Sequence, residues 1–310
     1  MKIGITGITG FVGQNLASYL ACFDILGISR GFKGENISYQ ELSLNIFNKQ
    51  NVFIHLAGKA HDLKTTADDS VYYEVNTELT KKLFDQFLES TCEVFIYMSS
   101  VKAAADSVNG ILTEDVIPNP VTIYGKSKQA AELYILSKEI PENKRVYILR
   151  PCMIHGPSNK GNLNLLYSFV STGIPYPFGN YVNKRSFVSI QNLCFIINEL
   201  INNNKIESGI YNIADDTPLS SVDLVQIISE SIYKPTKILK LPKLFVRFIA
   251  KIGDFIPILI NSERLLKLTE NYEVSNLKIK KAIQKKIPLS SKEGIIKTVN
   301  SFIIKKNTLS

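Results

Sequence analysis

Short apolar runs recur along the chain, each followed by a longer stretch with helical spacing. Residues 2–6 (KIGIT), 24–30 (DILGISR), 52–58 (VFIHLAG), 93–100 (EVFIYMSS) and 145–151 (RVYILRP) read as strands. They are mostly apolar on both sides of the chain, the pattern of strands covered on both faces. Helices are expected over 14–22, from Asn76 through Leu79, Leu83, Phe84 and Phe87, over 124–136, and over 163–172. Strand–helix alternation of this kind predicts an α/β fold, a doubly wound parallel sheet flanked by helices. The expected division is a sheet-bearing domain over 1–156 and a smaller domain over 157–310, partly interleaved. Strands near 187–190 and 210–214 return from the second to the first.

Chemistry enters at the first turn. Gly7, Gly10 and Gly13 stand between the first strand and its helix, in the stretch Gly7-Ile-Thr9-Gly10-Phe11-Val12-Gly13. Glycines there let the backbone approach a pyrophosphate, whose charge the helix amino terminus favours. The second strand ends in Ser29 and Arg30, where an acid would hold a ribose 2′-hydroxyl and an arginine would accommodate a 2′-phosphate. NADP is therefore slightly favoured over NAD, although a solvated loop arginine would look the same. Tyr124 and Lys128, in YGKSK, lie four apart and share a helix face. An ammonium beside a phenol favours the phenolate, so the Tyr124 pKa is expected to fall. Such a tyrosine moves a proton to or from a sugar oxygen. The plain alternative is a solvated helix face with an aromatic anchor.

Composition narrows the classes. The 310 residues are 45% apolar and 21% charged, as in ordinary globular proteins. Four scattered cysteines, with no CxxC pair, read as reduced packing residues, and a cytoplasmic location is expected. His55, His61 and His155 lack metal-ligand spacing, so no metal is expected. A net charge of +8 suits a phosphate-bearing ligand or a lysine-rich surface, and no nucleic-acid-reading motif accompanies it. Residues 241–260 are apolar, with Lys243, Arg247 and Lys251 in a four-residue rhythm that Pro257 cuts short. A helix lying on an anionic membrane and a helix packing the small domain both fit.

These segments, taken in order, resemble the extended short-chain dehydrogenase/reductases of the nucleotide-sugar epimerase/dehydratase type, with a Rossmann nucleotide-binding domain. The GxxGxxG loop, HLAG (55–58), SS (99–100), YGKSK (124–128) and RPxxxxGP (150–157) carry the likeness. The resemblance implies Ser100, Tyr124 and Lys128 as the catalytic set. It implies a cofactor, NAD or NADP, lined by the glycine loop, Ser29, Arg30, Leu56, Ala57, Gly58, Asn76, Ser99, Lys128 and Pro151. It further implies a UDP-sugar held by Arg185, with Arg264, Lys160 and Asn162 as weaker candidates, and a homodimer through helices near 77–88 and 121–136. His55 is expected to be a packed strand residue. Dehydratases of this group carry an Asp-Glu pair after the catalytic hydroxyl; Val101 and Lys102 stand here, which disfavours water elimination. The wording of HLAGKAH, SSVKA, KGN and NKRSF resembles bacterial 4-keto UDP-sugar reductases of polysaccharide synthesis. Reduction of a 4-keto sugar is the expected reaction, with 4-epimerisation the alternative and a non-catalytic dinucleotide sensor a third.

Overall fold

The computed structural model describes residues 1–31, 36–59, 68–157, 159, 162–256 and 261–307. Seven strands form one sheet in the order Gly209–Ile213, Arg145–Pro151, Val94–Met98, Val52–His55, Lys2–Thr6, Asp24–Ser29, Ile37–Ser38. Every neighbouring pair is parallel. The chain starts mid-sheet at Lys2–Thr6, winds outward to Ile37–Ser38, then crosses back to Val52–His55 and continues the other way. The two halves diverge between Lys2–Thr6 and Val52–His55, and the crevice at their carboxyl ends is where such sheets bind ligands.

Both faces of the sheet are covered, which explains why its strands lack polar alternation. In Val52–His55, the side chains of Val52 and Ile54 enter one core with Leu16, Leu193 and Ile197. Phe53, between them, points to the opposite core with Phe84, Phe87 and Ile135. A third core, containing Leu166, Val225, Val246 and Val299, belongs to the carboxyl-terminal half.

Three local expectations change. The first helix runs Phe11–Tyr19, not 14–22, because Gly10 is already extended (φ −77, ψ 171) and serves as its N-cap. The strand Phe187–Ser189 does not return to the central sheet. It pairs with Met153–His155 in a separate two-stranded sheet, while Gly209–Ile213 joins the central one as expected. Asn76 does not open a helix: it lies in a π-helical turn, Glu74–Glu78, between Asp69–Tyr73 and Leu79–Glu89. A π turn rotates the residues after it relative to those before, so side chains on either side can serve different partners.

Candidate active site

The glycine turn is built for close approach. Gly7 has φ +68, a left-handed backbone that a side chain rarely adopts, and a Cβ there would lie 2.9 Å from the Ala57 nitrogen. At Gly13 a Cβ would meet the Gly7 oxygen at 2.4 Å, so this glycine lets the helix pack onto its own turn. Gly10 differs: only the Gly7 oxygen, at 3.1 Å, would be near its Cβ, which leaves space in front of the helix amino terminus. Being glycine, this N-cap offers no side-chain acceptor to the first amides, those of Phe11, Val12 and Gly13. A phosphate fits there for that reason. Thr9 and Gly10 are exposed at this rim; Leu56 is half-buried, Ala57 buried and Gly58 exposed on the neighbouring strand end.

Ser99 and Ser100 end Val94–Met98 at the same sheet edge. Ser100 caps the 3₁₀ turn Val101–Ala103, its hydroxyl accepting from the Lys102 amide at 3.2 Å. Tyr124 lies in the first turn of the helix Ile123–Leu136, with the Ser100 hydroxyl close enough to its phenol to favour the phenolate. Gly125 makes this meeting possible: a Cβ there would lie 2.5 Å from the Lys102 oxygen and 2.8 Å from Pro120. The helix start is fixed by Asp106, which accepts from the amides of Val121 and Thr122 at 2.6 and 2.9 Å and from the Thr122 hydroxyl at 2.9 Å.

Electrostatics depart from the expectation at Tyr124. Its pKa is raised, not lowered: burial penalises the phenolate more than the Ser100 bond favours it. Lys128 directs its hydrogen bond elsewhere. Its ammonium donates to the Met98 carbonyl at 2.8 Å and lies 4.9 Å over the Tyr97 ring. Burial pulls the Lys128 pKa down to about 8, with Glu132 opposing. The spacing brought Tyr124 and Lys128 to one face, but it could not show that a carbonyl would claim the ammonium.

Beneath them lies a polar framework. Glu132, one turn beyond Lys128, accepts from Arg150 in bidentate fashion (Nε at 2.9 Å, Nη2 at 2.5 Å) and from the Ser99 hydroxyl at 2.5 Å. Both charged side chains are only 2% exposed. The signal for Glu132 in the sequence was its place as third member of a Tyr-Lys-Glu series at four-residue spacing. Asn76 is fully buried and supports the loop instead of lining open space. It accepts from the Lys59 amide at 2.8 Å and donates to the Lys59 carbonyl at 3.1 Å and the Ser127 hydroxyl at 2.9 Å. His55 is packed, as expected: Thr6 Oγ1 lies 2.7 Å from its Nδ1 and Thr80 Oγ1 lies 3.0 Å from its Nε2. Burial drives its pKa down to about 3, which keeps the imidazole neutral.

The remaining candidates lie further out. The Ser29 hydroxyl is buried and donates to the Gly31 carbonyl at 2.5 Å, while Arg30 beside it is exposed. Pro151 is buried at the end of its strand. Arg185 is half-buried, 3.6 Å from Glu270, and burial pulls its guanidinium below its ordinary value. It bridges through its backbone to Leu219 and Tyr272. Tyr272, which the sequence did not single out, donates to the Ala105 carbonyl at 2.5 Å and underlies Lys102, whose ammonium is 4.4 Å from its ring. That phenol joins the Arg185 segment to the turn that carries Ser100. Asn162 is exposed at the start of Asn162–Thr172, and Arg264 is exposed in the first turn of Ser262–Thr269. Lys160 and His61 lie outside the described residues. No group of three or more metal-ligating side chains occurs among the described residues.

Comparisons with known proteins bear on the family and the fold. The family model for the NAD dependent epimerase/dehydratase family matches residues 3–214. A UDP-glucose 4-epimerase of Vibrio cholerae is 30% identical over 333 residues, covering 99% of this chain and 97% of the relative. An N-acetyl-alpha-D-glucosaminyl-diphospho-ditrans,octacis-undecaprenol 4-epimerase of Escherichia coli O157:H7 is 25% identical over 292 residues, covering 89% and 84%. Among solved structures, a UDP-glucuronic acid 4-epimerase from Bacillus cereus in complex with NAD superposes with a TM-score of 0.74 at 18% identity. That match covers 98% of this chain and 99% of the other and speaks for the fold. The match of the family model over residues 3–214 and the 30% identity over nearly the whole length of a relative show that the chain is an enzyme of the NAD dependent epimerase/dehydratase family.

Proposed function

We propose that the protein is a UDP-sugar 4-epimerase, working by reversible oxidation at sugar carbon 4. The observation that carries the reading is the contact between Ser100 and Tyr124, with Lys128 one turn away and no acid pair at Val101 and Lys102. Elimination of water needs an acid and a base placed beyond the hydroxyl; Lys102 is instead committed to the Asp106 carbonyl at 2.7 Å. The similarity to a UDP-glucose 4-epimerase over nearly the whole chain supports the epimerase form.

In this scheme Ser100 hydrogen-bonds the sugar's 4-oxygen and orients it toward the Tyr124 phenol. Tyr124 takes the hydroxyl proton as carbon 4 is oxidised and returns it when the ketone is reduced on its other face. Burial raises its pKa, so the phenolate that accepts the sugar proton has to be formed first; the Lys128 ammonium one turn away, and the positive charge of an oxidised dinucleotide when bound, would favour that form. The bound dinucleotide, held by the glycine turn and Lys128, supplies the hydride exchange. Arg185, with Arg264 and Asn162, is assigned to the nucleotide-sugar diphosphate and sugar, where a guanidinium fork suits phosphate oxygens. A homodimer through Leu79–Glu89 and Ile123–Leu136 completes the reading; Leu133 and Leu136 stand exposed there.

Arg30 favours a second reading. An exposed arginine at the end of the second strand suits a 2′-phosphate, and an NADPH-consuming reductase of 4-keto UDP-sugars would use the same three residues. The test is mass spectrometry of dinucleotide released from the purified protein, followed by incubation with UDP-hexoses without added cofactor. Retained NAD and interconversion at carbon 4 support the epimerase. Oxidation of added NADPH, only when a 4-keto UDP-sugar is supplied, replaces it with the reductase. Tyr124→Phe should lower either turnover at least about 100-fold with dinucleotide binding unchanged; full activity in that variant removes Tyr124 from the mechanism.

A further inference from the structure

The helix Lys243–Gly253 presents three different faces. Val246 and Ala250 are buried in the core of the carboxyl-terminal half, together with Leu265 from the following helix. Lys243, Arg247 and Lys251 form an exposed row at four-residue spacing. Leu244, Phe248 and Ile252 form a second exposed row beside it, because Leu244 and Arg247, like Phe248 and Lys251, stand three apart on the helix. Leu244 is 79% exposed, Phe248 62% and, just past the helix end, Phe255 90%.

A buried seam accounts for Val246 and Ala250, yet the larger apolar residues are the ones left in water. Large side chains exposed together, bordered by cations, mark a surface that something else covers. The charge says what. Between 240 and 256 there are four cations, Lys240, Lys243, Arg247 and Lys251, and one acid, Asp254. Asp254 is engaged within the fold. Its two carboxylate oxygens accept from the amide and hydroxyl of Ser262, at 2.9 and 2.7 Å, at the start of the next helix. A second copy of this chain would bring the same excess of cations against this face. An anionic bilayer would meet them with phosphate groups and take up the phenyl rings below the headgroups.

We propose that Lys243–Gly253 is a membrane-surface helix that docks the protein on anionic lipid, Leu244, Phe248 and Ile252 entering the interface and Lys243, Arg247 and Lys251 lying along the headgroups. The amphipathic division, a compact apolar row against a basic one, is that of helices lying in the plane of the interface. No helix among the described residues is long and apolar enough to cross a membrane, so the contact is peripheral. The docked helix contacts Ser262–Thr269, which carries Arg264. The proposal rests on the surface of the carboxyl-terminal half and stands or falls apart from the reaction assigned above.

The test is co-flotation of the purified full chain with vesicles of phosphatidylcholine alone or with phosphatidylglycerol added, at low and high salt. Binding at least about tenfold stronger to the anionic vesicles, and weakened by salt, is expected from three cations near the surface. Phe248→Glu with Phe255→Glu should lower binding about tenfold or more. Replacing Lys243, Arg247 and Lys251 by glutamine should remove the preference for anionic lipid. Turnover of soluble substrate should be unchanged in both, and circular dichroism should report an intact fold. If the double variant fails to fold, Phe255→Glu alone keeps the test open, since that ring is nearly all in solvent. Absence of vesicle binding, equal binding to neutral vesicles, or binding indifferent to the phenylalanines would overturn the proposal. So would self-association that Phe248→Glu abolishes without any vesicle binding.

Discussion

Lys128 shows how much one side chain is asked to bear at this site. It is an ammonium in a buried place, with its pKa drawn down from 10.5 to about 8. A lysine whose pKa is lowered by folding costs stability wherever it is charged. The unfolded chain binds the extra proton between about 8 and 10.5, so stability rises with pH across that window. Lys128→Met should accordingly raise the melting temperature at pH 7, by an amount equivalent to about 1 kcal/mol or more, and abolish turnover. The stabilisation should fade as pH climbs from about 8 toward 10.5. Thermal melts of both proteins over that range are the check; a variant that is less stable at pH 7 would mean the carbonyl of Met98 contributes more than burial costs. Tyr124 carries the complementary lesson. Its spacing from Lys128 suggested a lowered pKa, but spacing fixes only which face a residue occupies. Whether the ammonium aims at the phenol depends on the carbonyl that the neighbouring strand end offers.

At the level of elements, the helix Ile123–Leu136 links the chemistry to the core. Its amino-terminal turn touches Ser100's turn through Gly125, and its third turn is pinned to the sheet by Glu132 and Arg150. Gly125→Ala should lower turnover about 10- to 100-fold while costing about 1–3 kcal/mol of stability, because the methyl group meets backbone and proline at distances that force the helix away. Steady-state rates beside a urea melt would separate the two effects. Glu132→Gln is expected to destabilise more, by about 3 kcal/mol, since it leaves the Arg150 charge buried without its counter-ion. The π turn at Glu74–Glu78 belongs to the same device: it seats Asn76 against both the Lys59 loop and Ser127, so the loop beyond the fourth strand and the helix with Tyr124 are held by one side chain.

On the scale of the whole molecule, the proposed site draws on three regions distant in sequence: the switch point of the sheet, the helix with Tyr124, and the bridged Arg185 and Tyr272 of the carboxyl-terminal half. Tyr272 crosses between halves, and its hydroxyl reaches the carbonyls of Val101 and Ala105, in and beyond the turn that Ser100 caps. A global consequence follows from His55, buried and neutral between Thr6 and Thr80. Its pKa is lowered from 6.5 to about 3. The unfolded chain therefore takes up a proton between those values that the folded chain refuses, and stability should fall as pH drops from about 6.5 toward 3. In His55→Gln that part of the acid slope should vanish, as read from melting temperatures at pH 4, 5, 6 and 7. An unchanged slope would assign acid sensitivity to the carboxylates.

The order of the first strands, the glycine turn, the pairing of Tyr124 with Lys128 on one face and the hydroxyls at 99–100 were all legible in the chain. These features depend on local spacing, backbone freedom and apolar continuity, which neighbouring residues specify among themselves. The helix boundary at Phe11 was missed by three residues because Gly10 acts as a cap through its backbone, without a side chain to announce it. Phe187–Ser189 could be read as a strand but not assigned to its sheet, since strand pairing is chosen by distant partners, here Met153–His155. The same holds for the electrostatics. Arg150 and Glu132 are eighteen residues apart, and Tyr272 lies 167 residues beyond the carbonyl it reaches. Sequence determined the chemistry available to this site; the tertiary structure alone decided which groups are desolvated, which proton each one keeps, and which apolar residues remain in water.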